Sequence, residues 1–160
     1  MAENLGKKFE RVIREAFEKV PNVSIDRLHD QTNGFKGSQN ICDFIVYKEP
    51  YEYYIECKSV HGASLPLSNI TDTQWNGLLE KSKIEGVFAG VICWWIDKDV
   101  TRFIPISTLV YIRNGGFKSV NYKQDAYGGC YKCFEIVGKK KRVYWEYDME
   151  EFFNEIQSIR

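Results

Sequence analysis

The sequence has no long hydrophobic run, no surplus charge of either sign and only two histidines. No apolar stretch approaches the eighteen or more residues of a membrane-spanning helix, so no membrane partner is expected. The first eight residues, Met1-Ala2-Glu3-Asn4-Leu5-Gly6-Lys7-Lys8, hold no apolar signal core, and a cytoplasmic protein is expected. Lys and Arg number 22, as do Asp and Glu. That balance counts against a strongly basic nucleic-acid binder, but a local basic face is compatible with it, because distribution matters more than the sum. The shortage of histidine also bears on metal chemistry. Cys130 and Cys133 form a Cys-x-x-Cys, but His29 and His61 lie far away in sequence and no second ligand pair is evident, so zinc is not expected. Five cysteines are an odd number, and Cys42, Cys57 and Cys93 sit in apolar runs; that pattern reads as reduced, buried thiols.

What is present is an ordinary globular composition. The chain has 160 residues, 44% apolar and 28% charged, with ten Tyr, ten Phe and four Trp. This is enough for one domain with its own core. Apolar residues at three- and four-residue spacing predict a helix over 3–20. A short strand is expected over 23–28, then a polar loop over 29–40. Strands follow at about 41–47 and 53–59, and 60–69 reads as loop. A helix stripe over 70–84 is weakened by Gly77. Buried strands are expected at 86–95 and 101–106, and Trp94 and Trp95 read as core or dimer interface. Ser107 is expected to cap a helix over 108–113, ended by Gly115 and Gly116. A hairpin is expected from 130–137 and 143–147, its turn carrying Gly138 and the run Lys139-Lys140-Lys141-Arg142. Asp148 should cap a last helix over 149–159. The order of elements predicts an α/β (α+β) domain around a mixed sheet.

The most telling stretch is Glu56-Cys57-Lys58-Ser59-Val60. Residues two apart on a strand share a face, so Glu56 and Lys58 emerge side by side while Cys57 points the other way. Asp43 lies thirteen residues upstream. If the hairpin is centred between Glu49 and Pro50, positions summing to 99 face each other, and Asp43 meets Glu56. Two carboxylates so placed repel, and charges in core strands are costly unless paired or metal-bound. A divalent cation would turn the repulsion into attraction.

These residues resemble the PD-(D/E)xK nuclease superfamily, and more closely its RecU-type Holliday junction resolvases. The likeness covers roughly residues 6–120 and is strongest over 40–74. It includes Asp43, Glu56-x-Lys58-Ser59, Ser64-Leu65-Pro66-Leu67-Ser68-Asn69-Ile70 and Gln74. Gly6-x-x-x-Glu10-x-x-Ile13, Phe103-Ile104-Pro105 and Gly115-Gly116-x-Lys118-Ser119 also resemble that family. The resemblance implies a restriction-endonuclease-like core, a mixed sheet flanked by helices. It implies a Mg²⁺- or Mn²⁺-dependent endonuclease acting as a homodimer on four-way junctions of double-stranded DNA, in a bacterial or phage-infected cell. Asp43, Glu56 and the carbonyl of Cys57 would be hard oxygen ligands. The metal would polarise the scissile phosphate, with Lys58 stabilising the developing charge. Gln74 would position water or phosphate, and Glu10 would be a further or outer ligand.

Two departures stand out. Ile41-Cys42 occupies positions where the family often has a hydroxyl residue. The region corresponding to the projecting stalk of RecU proteins, about 24–41, is short, which suits a phage-type resolvase or a general DNA nuclease. Arg27, Lys36, His61, Lys118, Lys139, Lys140, Lys141 and Arg142 are expected to add backbone contacts to DNA. The rival readings are a restriction-like or repair endonuclease of the same superfamily, and a non-catalytic DNA-binding module.

Overall fold

A sheet of six strands organises the computed structural model, which describes residues 4–29, 40–123 and 132–158. Helix α1 (Leu5–Glu18) starts at Asn4, whose side chain accepts a hydrogen bond from the Gly6 N–H. Such a cap satisfies one of the otherwise unpaired first-turn donors. Strands β1 (Val23–Arg27), β2 (Phe44–Lys48) and β3 (Tyr51–Val60) follow, and β4 (Ser64–Pro66) leads through a 3₁₀ turn to α2 (Asp72–Ser82). Then come β5 (Val87–Trp95), β6 (Val100–Pro105), α3 (Ile106–Asn114) and β7 (Ser119–Asn121). The chain closes with β8 (Phe134–Glu135), β9 (Gly138–Lys140), β10 (Trp145–Tyr147) and α4 (Met149–Gln157).

The six-stranded sheet runs β1-β2-β3-β5-β6-β8. Only β3 and β5 pair in parallel; the other neighbours are antiparallel. A parallel pair needs a long crossover, and α2 supplies it. Helices cover both faces, so the mixed sheet between helices expected from the sequence is the architecture found.

Strand alternation divides the core into two layers. On one face, Tyr53 and Ile55 of β3 join Phe9, Ile13, Phe17, Phe103, Phe152 and Phe153 beneath α1 and α4, with Cys57 packed against them. Rings there meet at close range, Tyr53 to Phe153 at 5.1 Å between centroids. On the other face, Tyr54, Val91, Cys93 and Trp95 join Leu65, Trp75, Leu78 and Leu109 beneath α2 and α3. Trp94 and Trp95 are both core residues, one in each layer.

Several expectations are corrected. The loop expected over 60–69 contains β4, which pairs with β7 in a separate two-stranded sheet. A three-residue strand has too few positions to display alternation, so only its distant partner reveals it. Helix α3 begins at Ile106 behind Pro105 with no side-chain cap, rather than being capped by Ser107. Gly138 and the first two lysines of the basic run lie in strand β9, not in its turn. A Cβ at Gly138 would sit 2.2 Å from the Glu146 carbonyl oxygen, so a close main-chain approach requires the glycine. The 29–40 loop lies largely outside the described residues, as do Lys36 and Cys130. No described helix is long and apolar enough to cross a membrane.

Candidate active site

The hairpin register is the one the sequence arithmetic requires. Phe44 faces Ile55, Val46 faces Tyr53 and Lys48 faces Tyr51, so each pair sums to 99. Asp43 lies one residue before β2, not inside it as expected. Its N–H donates to the Ile55 carbonyl at 3.0 Å, and its Oδ2 accepts the Cys57 N–H at 2.7 Å. A carboxylate thus replaces a main-chain partner at the point where the ladder opens, which ends the strand and fixes the carboxylate beside Glu56.

Glu56 is only 4% exposed. It stands on the face covered by α2, opposite Cys57. Two donors converge on its Oε1: Lys58 Nζ at 3.2 Å and Gln74 Nε2 at 3.0 Å. Burial, and next the neighbouring Asp43 carboxylate, push the Glu56 carboxyl up to about 8, against the opposing pull of Lys58. Desolvation and a like charge both disfavour the ionised form. One ammonium does not neutralise two carboxylates.

Gln74 reaches this site because of how α2 begins. Thr71 accepts the Gln74 N–H through its hydroxyl, and Gln74 Oε1 accepts the Thr71 N–H at 3.1 Å. This reciprocal capping box leaves the amide nitrogen to hold Glu56. A single side chain therefore starts a helix and orients the buried carboxylate. Replacing Gln74 with alanine is expected to lower stability by about 1 kcal/mol through the lost cap. It should also reduce any cleavage at this site by about tenfold or more, because Glu56 loses an orienting donor. Thermal melts beside a single-turnover assay separate the two effects, since a cap-only role would leave the assay unchanged.

A second contact seats the same helix. Gly77, one turn after Gln74, faces Ile41, and a Cβ at that position would lie 2.3 Å from Ile41 Cγ2. The glycine that weakens the helical pattern is the notch into which the residue two before Asp43 fits.

The remaining expected residues are placed variously. Glu10 pairs with Arg27 at 2.9 Å, so its carboxylate already has a strong cationic partner. Lys7, Arg11 and Arg14 surround that pair, lining with it a hollow of about 290 Å³. His61 follows the end of β3 and its Nδ1 lies 3.1 Å from Asp97 Oδ1. Lys118 is exposed beside β4, its carbonyl accepting the Leu67 N–H. In the basic run, Lys140 pairs with Asp99 and Lys141 with Glu146. Those two charges are partly spent on the protein itself. Lys139 and Arg142 are exposed.

The donor set available to a cation is all oxygen: the carboxylates of Asp43 and Glu56 and the carbonyl of Cys57. Among the described residues, no group of three or more His, Cys, Asp and Glu side chains is poised to hold a metal. Two carboxylates suffice for Mg²⁺, which keeps several of its waters. A cation at Asp43 and Glu56 would relieve the burial and like-charge repulsion that raise the Glu56 carboxyl.

A mixed sheet flanked by helices, with buried Glu56 and neighbouring Lys58 inside its parallel strand pair and Asp43 beside them, is the arrangement these observations define. No protein-family model matches the chain, and no curated protein matches it. Among solved structures, it is similar to Hjc, a Holliday junction resolvase from the archaeal hyperthermophile Archaeoglobus fulgidus. The TM-score is 0.45 and the identity 20%, covering 64% of this chain and 78% of that chain.

Proposed function

We propose that the chain is a metal-dependent endonuclease of branched DNA. The observation that carries this reading is the meeting of Asp43, Glu56, Lys58 and Gln74 where β2 and β3 part and α2 begins. Asp43, Glu56 and Lys58 are the residues of the D…E-x-K pattern, and a stable fold gains nothing from burying Glu56 beside a like charge. Bound by Asp43, Glu56 and the Cys57 carbonyl, Mg²⁺ or Mn²⁺ supplies Lewis-acid polarisation of a phosphodiester. Lys58 places an ammonium beside the reacting phosphate and stabilises charge that develops in the transition state. Gln74 holds Glu56 in register throughout. Glu10, clamped by Arg27, tunes the site from outside it.

The finer reading is a RecU-type resolvase in which residues 1–160 form one nuclease domain with a reduced stalk. Two cuts in opposed strands need two sites, which a two-fold homodimer supplies. The test is cleavage of a synthetic four-way junction and of the matching linear duplex, with Mg²⁺, with Mn²⁺ and with EDTA. Metal-dependent cleavage of the junction, well above that of the duplex, is expected. Equal cleavage of both substrates removes the junction preference and leaves a nuclease of the restriction-like or repair type. No cleavage of either substrate with any divalent metal, although the junction is bound, overturns the enzyme and favours a DNA-binding module.

A further inference from the structure

One arginine has its flat face occupied and its edge open. Arg113, in the last turn of α3, lays its guanidinium over Trp75, with Cζ 4.0 Å from the ring centroid. Trp75 is buried in the first turn of α2, where its N–H donates to the Thr71 carbonyl at 2.8 Å. A guanidinium stacked on a ring keeps its N–H donors in its own plane, clear of the aromatic face. Among the described residues, the Arg113 side chain has no ion pair and no hydrogen bond, and the residue is exposed. Asp72, three residues before Trp75 on α2, forms no ion pair with it. By contrast, Arg11 pairs with Glu15, Arg14 with Glu18 and Arg27 with Glu10.

The chain beyond α3 brings a second cation to the same segment. The helix closes with two main-chain bonds, from the Gly116 N–H to the Arg113 carbonyl at 3.0 Å and from the Phe117 N–H to the Ile112 carbonyl at 3.3 Å. That closure needs a left-handed residue, and Gly116 supplies it at φ 86°. The chain therefore turns back at once. The Lys118 carbonyl accepts the Leu67 N–H at 2.9 Å, and Ser119 faces Pro66 in the β4–β7 pair. Lys118 is exposed, and among the described residues its ammonium is unpaired. Between Leu67 and Trp75, the side chains of Ser68 and Asn69 are also exposed and make no hydrogen bond with the described residues. Two cations and two neutral polar groups, none of them used by the described fold, thus border the segment that starts α2.

Consecutive residues tie this surface to the candidate active site. Gln74 holds Glu56 at 3.0 Å, and Trp75, the next residue, holds Arg113 at 4.0 Å. Fully extended side chains on neighbouring Cα atoms bound the separation, so the Arg113 guanidinium lies at most about 20 Å from the Glu56 carboxylate. The planar fork of an arginine matches two oxygens of one phosphate. Resting on the nuclease reading above, we infer that Arg113 and Lys118 bind phosphates of the DNA backbone on the α2 side of the active site, with Ser68 and Asn69 adding neutral hydrogen bonds. At about 3.4 Å of rise per phosphate, the contact falls within roughly six nucleotides of the scissile bond. It positions the strand and carries no sequence information.

The test is binding of a synthetic four-way junction to the full chain in EDTA, as a function of salt. Arg113→Gln with Lys118→Gln should weaken binding about tenfold at about 0.1 M salt and lower the slope of log affinity against log salt by about two. Arg113→Lys keeps the charge and loses the fork, so affinity should fall about threefold with the slope intact. Ser68→Ala with Asn69→Ala should act in the same way, because hydrogen bonds are lost without charge. Lys48→Gln with Lys83→Gln removes two charges near the β2–β3 turn and beyond the far end of α2, and should leave the slope unchanged. If the Arg113 and Lys118 double variant melts at a lower temperature but keeps the wild-type slope, Arg113 merely seats Trp75 and this inference is overturned while the nuclease reading stands. An equal fall in slope for the control pair overturns it too. If the unaltered protein binds neither junction nor duplex, the nuclease reading fails and this inference falls with it.

Discussion

Replacing Glu56 with glutamine is expected to abolish cleavage and, in EDTA, to raise the melting temperature. The two outcomes share one cause. Glu56 is buried beside Asp43, and its ionised form is disfavoured first by desolvation and then by that neighbour. Glutamine keeps the size and can still accept from Lys58 and Gln74, but carries no charge to desolvate. Without a cation, the folded protein holds the Glu56 proton up to about 8, whereas the unfolded chain releases it near the ordinary 4.5. Below 4.5 both states are protonated and the residue contributes nothing unfavourable. As pH rises from there to about 8, the unfolded state ionises first, so stability falls across that window and levels above it. The glutamine variant lacks this slope. Its advantage should therefore be small near pH 4.5 and grow to about 1–3 kcal/mol at neutral pH. For a chain this size, that is an increase of roughly 3–10 °C in melting temperature. Divalent metal should raise the melting temperature of the wild type by mass action and leave the variant nearly unmoved. Cleavage should drop by about a thousandfold or more, because a ligand and a charge are lost together. A variant that is inactive but less stable in EDTA at pH 7 would mean that Glu56 is a structural ion-pair partner of Lys58 and not a strained functional group.

Much of this site was legible in the sequence because its main parts are local. Asp43 and Glu56 belong to one hairpin, and a two-residue turn at Glu49-Pro50 fixes which residues face each other. The side-by-side exit of Glu56 and Lys58 follows from strand period alone, and the 3.2 Å pair bears it out. Gln74 was legible as a helix residue, but its double use was not. That needs the capping geometry at Thr71 and the depth at which α2 lies on the sheet. The pairing of β4 with β7 joins residues more than fifty apart through three-residue strands, and neither piece carries a period long enough to read. The basic run at 139–142 looks like a free cationic turn in sequence. Asp99 and Glu146, which take up two of its charges, become neighbours only when the β9–β10 hairpin folds back.

Gly77→Ala is expected to impair cleavage far more than an alanine in a helix normally could. On propensity alone, alanine in place of glycine favours a helix by about 1 kcal/mol. Here the new Cβ would meet Ile41 Cγ2 at 2.3 Å and Ile41 Cβ at 2.5 Å, a separation no relaxed pair of carbons adopts. Either α2 lifts or the segment carrying Ile41 retreats. Helix α2 carries Gln74, and Ile41 is two residues from Asp43, so both routes move a group that touches the candidate site. Overpacking of this kind costs about 1–3 kcal/mol, enough to cancel the propensity gain and leave the protein modestly less stable. A displacement near 1 Å at a reacting centre costs about a hundredfold in rate, so cleavage should fall by about that factor. The contact is specific enough to be repaired from the other side. Ile41→Gly removes both atoms that would lie within 3.0 Å of the new Cβ, and in the Gly77→Ala background it should recover part of both activity and stability. By itself, Ile41→Gly leaves a cavity beside the Asp43 segment and should lower both. The double-mutant cycle therefore predicts a favourable coupling between the two substitutions in the rate as well as in the melting temperature. Coupling in the melting temperature without coupling in the rate would reduce the Ile41–Gly77 contact to packing and detach it from the placement of Asp43 and Gln74.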